Sequence, residues 1–117
     1  ITGRVKDLII RGGLNISPVE VEEILSGDSR IATIALAGMP DERLGERICA
    51  FVVPKIGMEL TLEDLADLAE KSGLAKQKWP ERLEILTELP MTPTGKVQRY
   101  ALKQLITEKL TEESRTA

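Results

Sequence analysis

The stretch Ile9-Ile10-Arg11-Gly12-Gly13-Leu14-Asn15-Ile16-Ser17-Pro18-Val19-Glu20-Val21 decides the fold, because it passes from one kind of element to another within a few residues. The run ending at Ile9-Ile10-Arg11 is short and β-branched, and Gly12-Gly13 supplies the backbone freedom of a tight turn before Leu14-Asn15-Ile16, which predicts a β-hairpin. A helix start follows at once. Ser17 stands as N-cap, Pro18 at the first helical position and Glu20 at the third, the pattern of a capping box, and Ile16 and Val21 are placed to close a hydrophobic staple over it. Val21, Ile24 and Leu25 recur at helical spacing until Gly27 stops the helix.

Outward from there, Ile31 to Ala37 and Ile48 to Val53 are continuously apolar and partly β-branched, which predicts two strands of a buried sheet joined through the turn-rich Gly38-Met39-Pro40-Asp41. Thr61 caps a second helix with Leu62, Leu65, Ala66 and Ala69 on one face, ended by Gly73. Glu84 to Leu89 alternates like a third strand, and Pro90-Met91-Thr92-Pro93-Thr94-Gly95 must be an extended loop. A last helix is expected from Val97 to Leu110 with Ala101, Leu102 and Leu105 toward the core. The order predicts an α+β fold: a small central β-sheet with flanking helices and an N-terminal β-hairpin, one domain over residues 1–110 with a polar tail at 111–117.

Composition narrows the chemistry. With 42% apolar and 30% charged residues the chain is a globular protein, and its net charge of −3 with only three aromatic residues gives no reason to propose nucleic acid as a partner. It has no His and a single Cys49, so His-based nucleophile pairs and the commonest metal ligands are excluded, and no metal is expected. The lone thiol suits a reducing cytoplasm, and no apolar run approaches the roughly 20 residues that cross a bilayer. Ile1 is not an initiator Met, and the expectation is a piece of a longer protein.

What remains for chemistry is Lys, Arg, carboxylates and backbone dipoles. Thr92-Pro93-Thr94-Gly95-Lys96 puts a phosphate-tolerant loop before the last helix and a Lys in its expected first turn, where the helix dipole disfavours a cation unless an anion is to be bound. The plainer alternative is a solvated Lys beside a turn. Gly12-Gly13 likewise needs no ligand to explain it, and Lys71, Lys76, Lys78 and Arg82, interleaved with Glu70, Glu81 and Glu84, read as a solvated face.

In combination these segments carry more. Gly3-Arg4-Val5-Lys6-Asp7, then Ile9 to Glu22, then Leu89-Pro90-Met91-Thr92-Pro93-Thr94-Gly95-Lys96-Val97-Gln98-Arg99 resemble the C-terminal domain of the adenylate-forming superfamily, which includes acyl-CoA synthetases, peptide-synthetase adenylation domains and luciferases. Gly38-Met39-Pro40-Asp41, Leu44-Gly45-Glu46 and Ala50-Phe51-Val52-Val53 add to the likeness, which spans Gly3 to Lys109. The resemblance implies an acid–thiol ligase, a carboxylic acid, ATP and coenzyme A giving acyl-CoA, AMP and pyrophosphate. Lys96 would then be the adenylation lysine, Lys6 the hinge between large and small domains, and Arg4 a residue approaching the nucleotide. The Gly12-Gly13 hairpin would line the path of the thiol arm during the thioester step.

The same resemblance implies that ATP with Mg2+ and the acid are held by a large N-terminal domain, so the isolated chain is expected to be inactive. Two alternatives stay open: a lid that serves a carrier-protein thiol in place of coenzyme A, and a non-catalytic stand-alone binding module.

Overall fold

The computed structural model describes residues 8–116. β1 (Ile9–Arg11) and β2 (Leu14–Ile16) pair antiparallel with Arg11 opposite Leu14 and Ile9 opposite Ile16. Gly12 and Gly13 join them at φ 57° and 84°, the two-residue turn whose left-handed backbone matches the twist of the strands. α1 (Pro18–Leu25) starts where expected, with Ser17 Oγ accepting from the Glu20 N–H at 3.4 Å. The reciprocal half of the capping box is not formed, because the Glu20 carboxylate turns to Lys78 Nζ at 3.3 Å. Ile16 and Val21, the two ends of the staple, are both fully buried.

β3 (Ile31–Asp41) and β4 (Gly45–Pro54) form the long antiparallel pair at the centre, running from Ile31 opposite Pro54 to Asp41 opposite Gly45. Their continuous apolar character has a direct cause: both faces are covered. Ile34, Leu36, Ile48, Ala50 and Val52 pack with Val21 and Leu25 of α1 and with Leu65 and Ala69 of α2 (Leu62–Lys71). Ala35, Ala37, Met39, Cys49 and Phe51 pack on the other side with Leu102 and Ile106 of α3 (Arg99–Thr116). α2 carries a complete capping box between Thr61 and Asp64.

Among the described residues five strands make one sheet in the order β2-β1-β4-β3, and β5 (Arg82–Ile85) joins β4 in parallel, with Cys49 opposite Arg82 and Val52 opposite Ile85. The α+β class and the N-terminal hairpin are as expected, and several boundaries differ: β4 begins at Gly45, ahead of the expected Ile48, and α3 continues through the expected polar tail to Thr116. Gly38-Met39-Pro40-Asp41 is strand, and the turn comes after it, where Asp41 Oδ2 accepts from the N–H groups of Leu44 at 2.8 Å and Arg43 at 3.1 Å. Pro40 is tolerated in β3 because that strand lies at the sheet edge.

β5 begins two residues before Glu84 and stops at Ile85, short of the expected Leu89. Its polar residues are paired beneath α3: Arg82 reaches Glu84 at 2.8 Å and Glu113 at 2.5 Å, and Lys109 also binds Glu84. α3 begins at Arg99 because Val97 is held extended in a bridge with Met91. Its buried stripe is Leu102 and Ile106, with Leu110 packed beside them, whereas Leu105 is 39% exposed and Ala101 only half-buried.

Burial pushes the Glu84 carboxyl up, but the hydrogen bonds from Lys109 and Arg82 outweigh it and hold the group below the usual carboxylate range. A depressed folded pKa contributes stability that is present above the unfolded pKa and lost as pH falls through the folded value. Glu84→Gln should therefore lower the thermal midpoint of the chain at neutral pH, and the gap from the parent should close below about pH 4. A gap that widened in acid would contradict the pairing.

Candidate functional site

Backbone hydrogen bonds build the lysine loop. Met91 and Val97 bridge antiparallel, the Thr92 N–H donates to the Lys96 carbonyl at 2.7 Å, and the Gly95 N–H donates to the Thr92 carbonyl at 2.9 Å. Gly95 takes φ 87°, a conformation an L side chain resists. Below the bridge the Gln98 N–H donates to the Pro90 carbonyl at 2.9 Å. Thr92 Oγ1 accepts from the Lys96 N–H at 3.1 Å and lies 2.9 Å from Thr94 Oγ1, so one hydroxyl joins three positions of the loop.

Lys96 is consequently not in the first turn of a helix. It stands three residues ahead of α3, so the helix dipole is not what sets its surroundings. Its side chain is exposed, and among the described residues no carboxylate lies within ion-pair distance of it. The loop's base is anchored where Arg99, the first residue of α3, donates from Nη2 to Glu22 Oε1 at 2.5 Å while Glu22 Oε2 accepts from the Leu36 N–H at 2.7 Å. A braced base and an exposed ammonium with no carboxylate partner among the described residues leave a positive charge free to meet an anion.

The second expected segment is the hairpin. The Gly12 N–H donates to the Leu44 carbonyl at 2.8 Å, and a Cβ on Gly12 would lie 3.3 Å from Leu44 Cδ2. A Cβ on Gly13 would meet nothing within 4 Å, so the tip opens to free space and only the backbone conformation asks for glycine there. Ile10 and Leu14 stay half-exposed beside the turn. Arg4 and Lys6, the expected nucleotide and hinge residues, lie outside the described residues.

The remaining candidates resolve into structure. Lys78 pairs with Glu20 and Arg82 with Glu84 and Glu113, so the basic set around Trp79 does not converge on one point. Trp79 packs against the core and donates from Nε1 to the Leu74 carbonyl at 2.8 Å. Cys49 is fully buried, and burial, reinforced by the nearby Glu84 charge, pushes its thiol up to about 12, which removes it as a thiolate nucleophile. The supporting roles of Thr92, Glu22 and Arg99 were not foreseen; the only sequence signal for them is their proximity to Lys96 and to the first helix start.

Comparison with known proteins assigns the chain to a family. The model of the AMP-binding enzyme C-terminal domain matches residues 20–96, and the chain belongs to that family. It is 44% identical over 114 residues to a medium-chain fatty-acid–CoA ligase of Escherichia coli, covering 97% of this chain and 20% of that protein. It is 41% identical over 110 residues to a 2,3-dihydroxybenzoate-AMP ligase of Bacillus subtilis, covering 94% and 20%. The crystal structure of ATP-bound MatB from Rhodopseudomonas palustris superimposes with a TM-score of 0.85 at 31% identity, covering 92% of this chain and 21% of that one. The chain thus spans about a fifth of the length of these relatives.

Thr92→Val keeps the loop's shape but removes the acceptor for the Lys96 N–H, a bond worth about 1 kcal/mol. The Lys96 amide should then exchange with solvent about fivefold faster, as read by NMR hydrogen exchange. An unchanged rate would remove Thr92 from the loop's support.

Proposed function

We propose that this chain is the mobile C-terminal domain of an ATP-dependent acid–thiol ligase and that Lys96 serves adenylation. The observation that carries the reading is the exposed ammonium at the end of a hydrogen-bonded loop, within a family match that extends to that residue. In the first half-reaction an oxygen of the carboxylate attacks the α-phosphorus of ATP. The bond from that phosphorus to the bridging oxygen breaks, and pyrophosphate leaves. Two anions must approach each other, and Lys96 Nζ, placed between the carboxylate oxygen and the α-phosphate, would neutralise the charge that accumulates in the transition state.

In the second half-reaction a thiol sulfur attacks the acyl carbonyl carbon, its proton passes to solvent, and AMP departs with the electrons of the acyl–oxygen bond. The Gly12-Gly13 turn serves this step, its bare tip leaving room for a thin pantetheine arm. Rotation about Lys6 exchanges one set for the other, with Arg4 approaching the nucleotide, and the large N-terminal domain holds the acid, ATP and Mg2+. Coenzyme A is the acceptor favoured here, in a cytoplasmic setting, and the Escherichia coli relative's name supports a fatty acid. The Bacillus subtilis relative, named for the adenylate alone, supports a second reading in which a carrier-protein thiol is the acceptor.

In the full-length ligase, Lys96→Ala should slow carboxylate-dependent pyrophosphate exchange by about a hundredfold or more, while thioester formation from supplied acyl-adenylate stays within a few-fold. Gly13→Leu should do the reverse, and the isolated chain should show no exchange. Equal losses in both half-reactions for both variants would overturn the assignment.

A further inference from the structure

The hairpin that serves the thioester step is joined to the rest of the sheet by few backbone bonds. β1 and β4 share a single paired position, Arg11 opposite Gly45, one of whose flanking bonds is the Gly12 N–H to the Leu44 carbonyl at 2.8 Å. Alternate residues of a strand send their N–H groups to the same side, so Ile10 and Gly12 both donate away from β2. Ile10 has no ladder pair of its own on β4 among the described residues. Its N–H donates instead to Glu46 Oε1 at 2.9 Å, so a side chain of β4 takes the place of a ladder bond.

The Glu46 carboxylate is itself held. Oε2 pairs with Lys103 Nζ of α3 at 2.5 Å, and the side chain is 17% exposed. It lies over the bare backbone of Gly38 in β3, where an added Cβ would come within 2.6 Å of the carboxylate carbon. Gly38 is not among the glycines with positive φ, so its backbone would accept any residue, and it ends no strand. Among the described residues, what asks for glycine at position 38 is the space filled by Glu46.

We infer that Glu46, seated in the notch left by Gly38 and clamped by Lys103, is a positioning residue that fixes the Gly12-Gly13 hairpin for the thioester step. It touches neither substrate nor reacting atoms. It acts through Ile10, at the point where the hairpin would otherwise pivot on one pair of residues. The inference rests on the proposed role of the hairpin, and it adds two residues, Glu46 and Gly38, to which that proposal gave no part.

The test separates the half-reactions of the full-length ligase. Glu46→Ala removes the acceptor, and Gly38→Ala displaces the carboxylate by a different route. Each should slow thioester formation from supplied acyl-adenylate by about tenfold, with pyrophosphate exchange within about twofold of the parent. Glu46→Gln keeps an oxygen for the Ile10 N–H and should restore most of the rate, and the Gly38→Ala/Glu46→Ala double variant should be no slower than either single one. Equal loss of both half-reactions, no loss in either, or additive loss in the double variant would overturn the inference. If Glu46→Ala fails to fold, the Gly38→Ala and Glu46→Gln pair decides by the same criteria. Should Gly13→Leu spare the thioester step, the hairpin's own role fails; should Gly13→Leu impair it while Glu46→Ala and Gly38→Ala do not, only the positioning role fails.

Discussion

The antiparallel pairing of β3 with β4 is the constraint on which the rest of the molecule depends. Both strands are apolar on both faces, so neither can be left uncovered, and α1 with α2 on one side and α3 on the other are drawn in by the same pair of strands. Fully burying a side chain such as Leu102, Ile106 or Phe51 is worth about 1.5–3 kcal/mol, several times the helix-propensity differences within α3. Packing on this sheet, more than local preference, therefore sets which way α3 faces and where its first residue comes to lie. The lysine loop is the segment that must connect β5 to that helix.

The electrostatics follow the same division. The carboxylates and guanidinium groups that sit partly out of water, Glu22, Glu84, Arg82 and Arg99, have partners that tie helices to strands. Leaving one such charge alone in a low-dielectric setting would cost several kcal/mol. Lys96 is the contrasting case, exposed on a loop that is braced by its own hydrogen bonds. An exposed ammonium of this kind costs little to hold in water, and the same charge acts far more strongly on an anion where water is excluded.

Much of this was legible in the sequence, for identifiable reasons. Ser17-Pro18 and Thr61 announce helices by local hydrogen-bonding chemistry, and Gly12-Gly13 announces a turn by backbone sterics; both act within a few residues. What was misplaced depends on partners distant in the chain. Leu102, Ile106 and Leu110 lie at helical spacing, but Ala101 and Leu105 offer the next stripe round the helix, and only the position of Phe51 and Met39 chooses between them. β5 was displaced because Arg82 and Glu84 look like surface residues until Lys109 and Glu113 arrive from α3. Lys96 was singled out as a candidate on the premise of a helix start that the bridge between Met91 and Val97 moves to Arg99. Glu46 entered the sequence reading only within the Leu44-Gly45-Glu46 likeness and with no role of its own, since its meaning lies in Ile10, Gly38 and Lys103 together.

The described residues form a sheet with two short projections, the Lys96 loop, which is cationic, and the Gly12-Gly13 turn, which is bare. The central claim is that the large domain binds ATP and acid unaided while the chemistry of adenylation waits for this one. The direct measurement is to delete these 117 residues from the full-length ligase, then record ATP affinity by calorimetry and carboxylate-dependent pyrophosphate exchange on the same preparation. ATP affinity within a few-fold of the parent and an exchange rate at least about a hundredfold lower is the expected result. An enzyme that still exchanged pyrophosphate at the parent rate would contradict it.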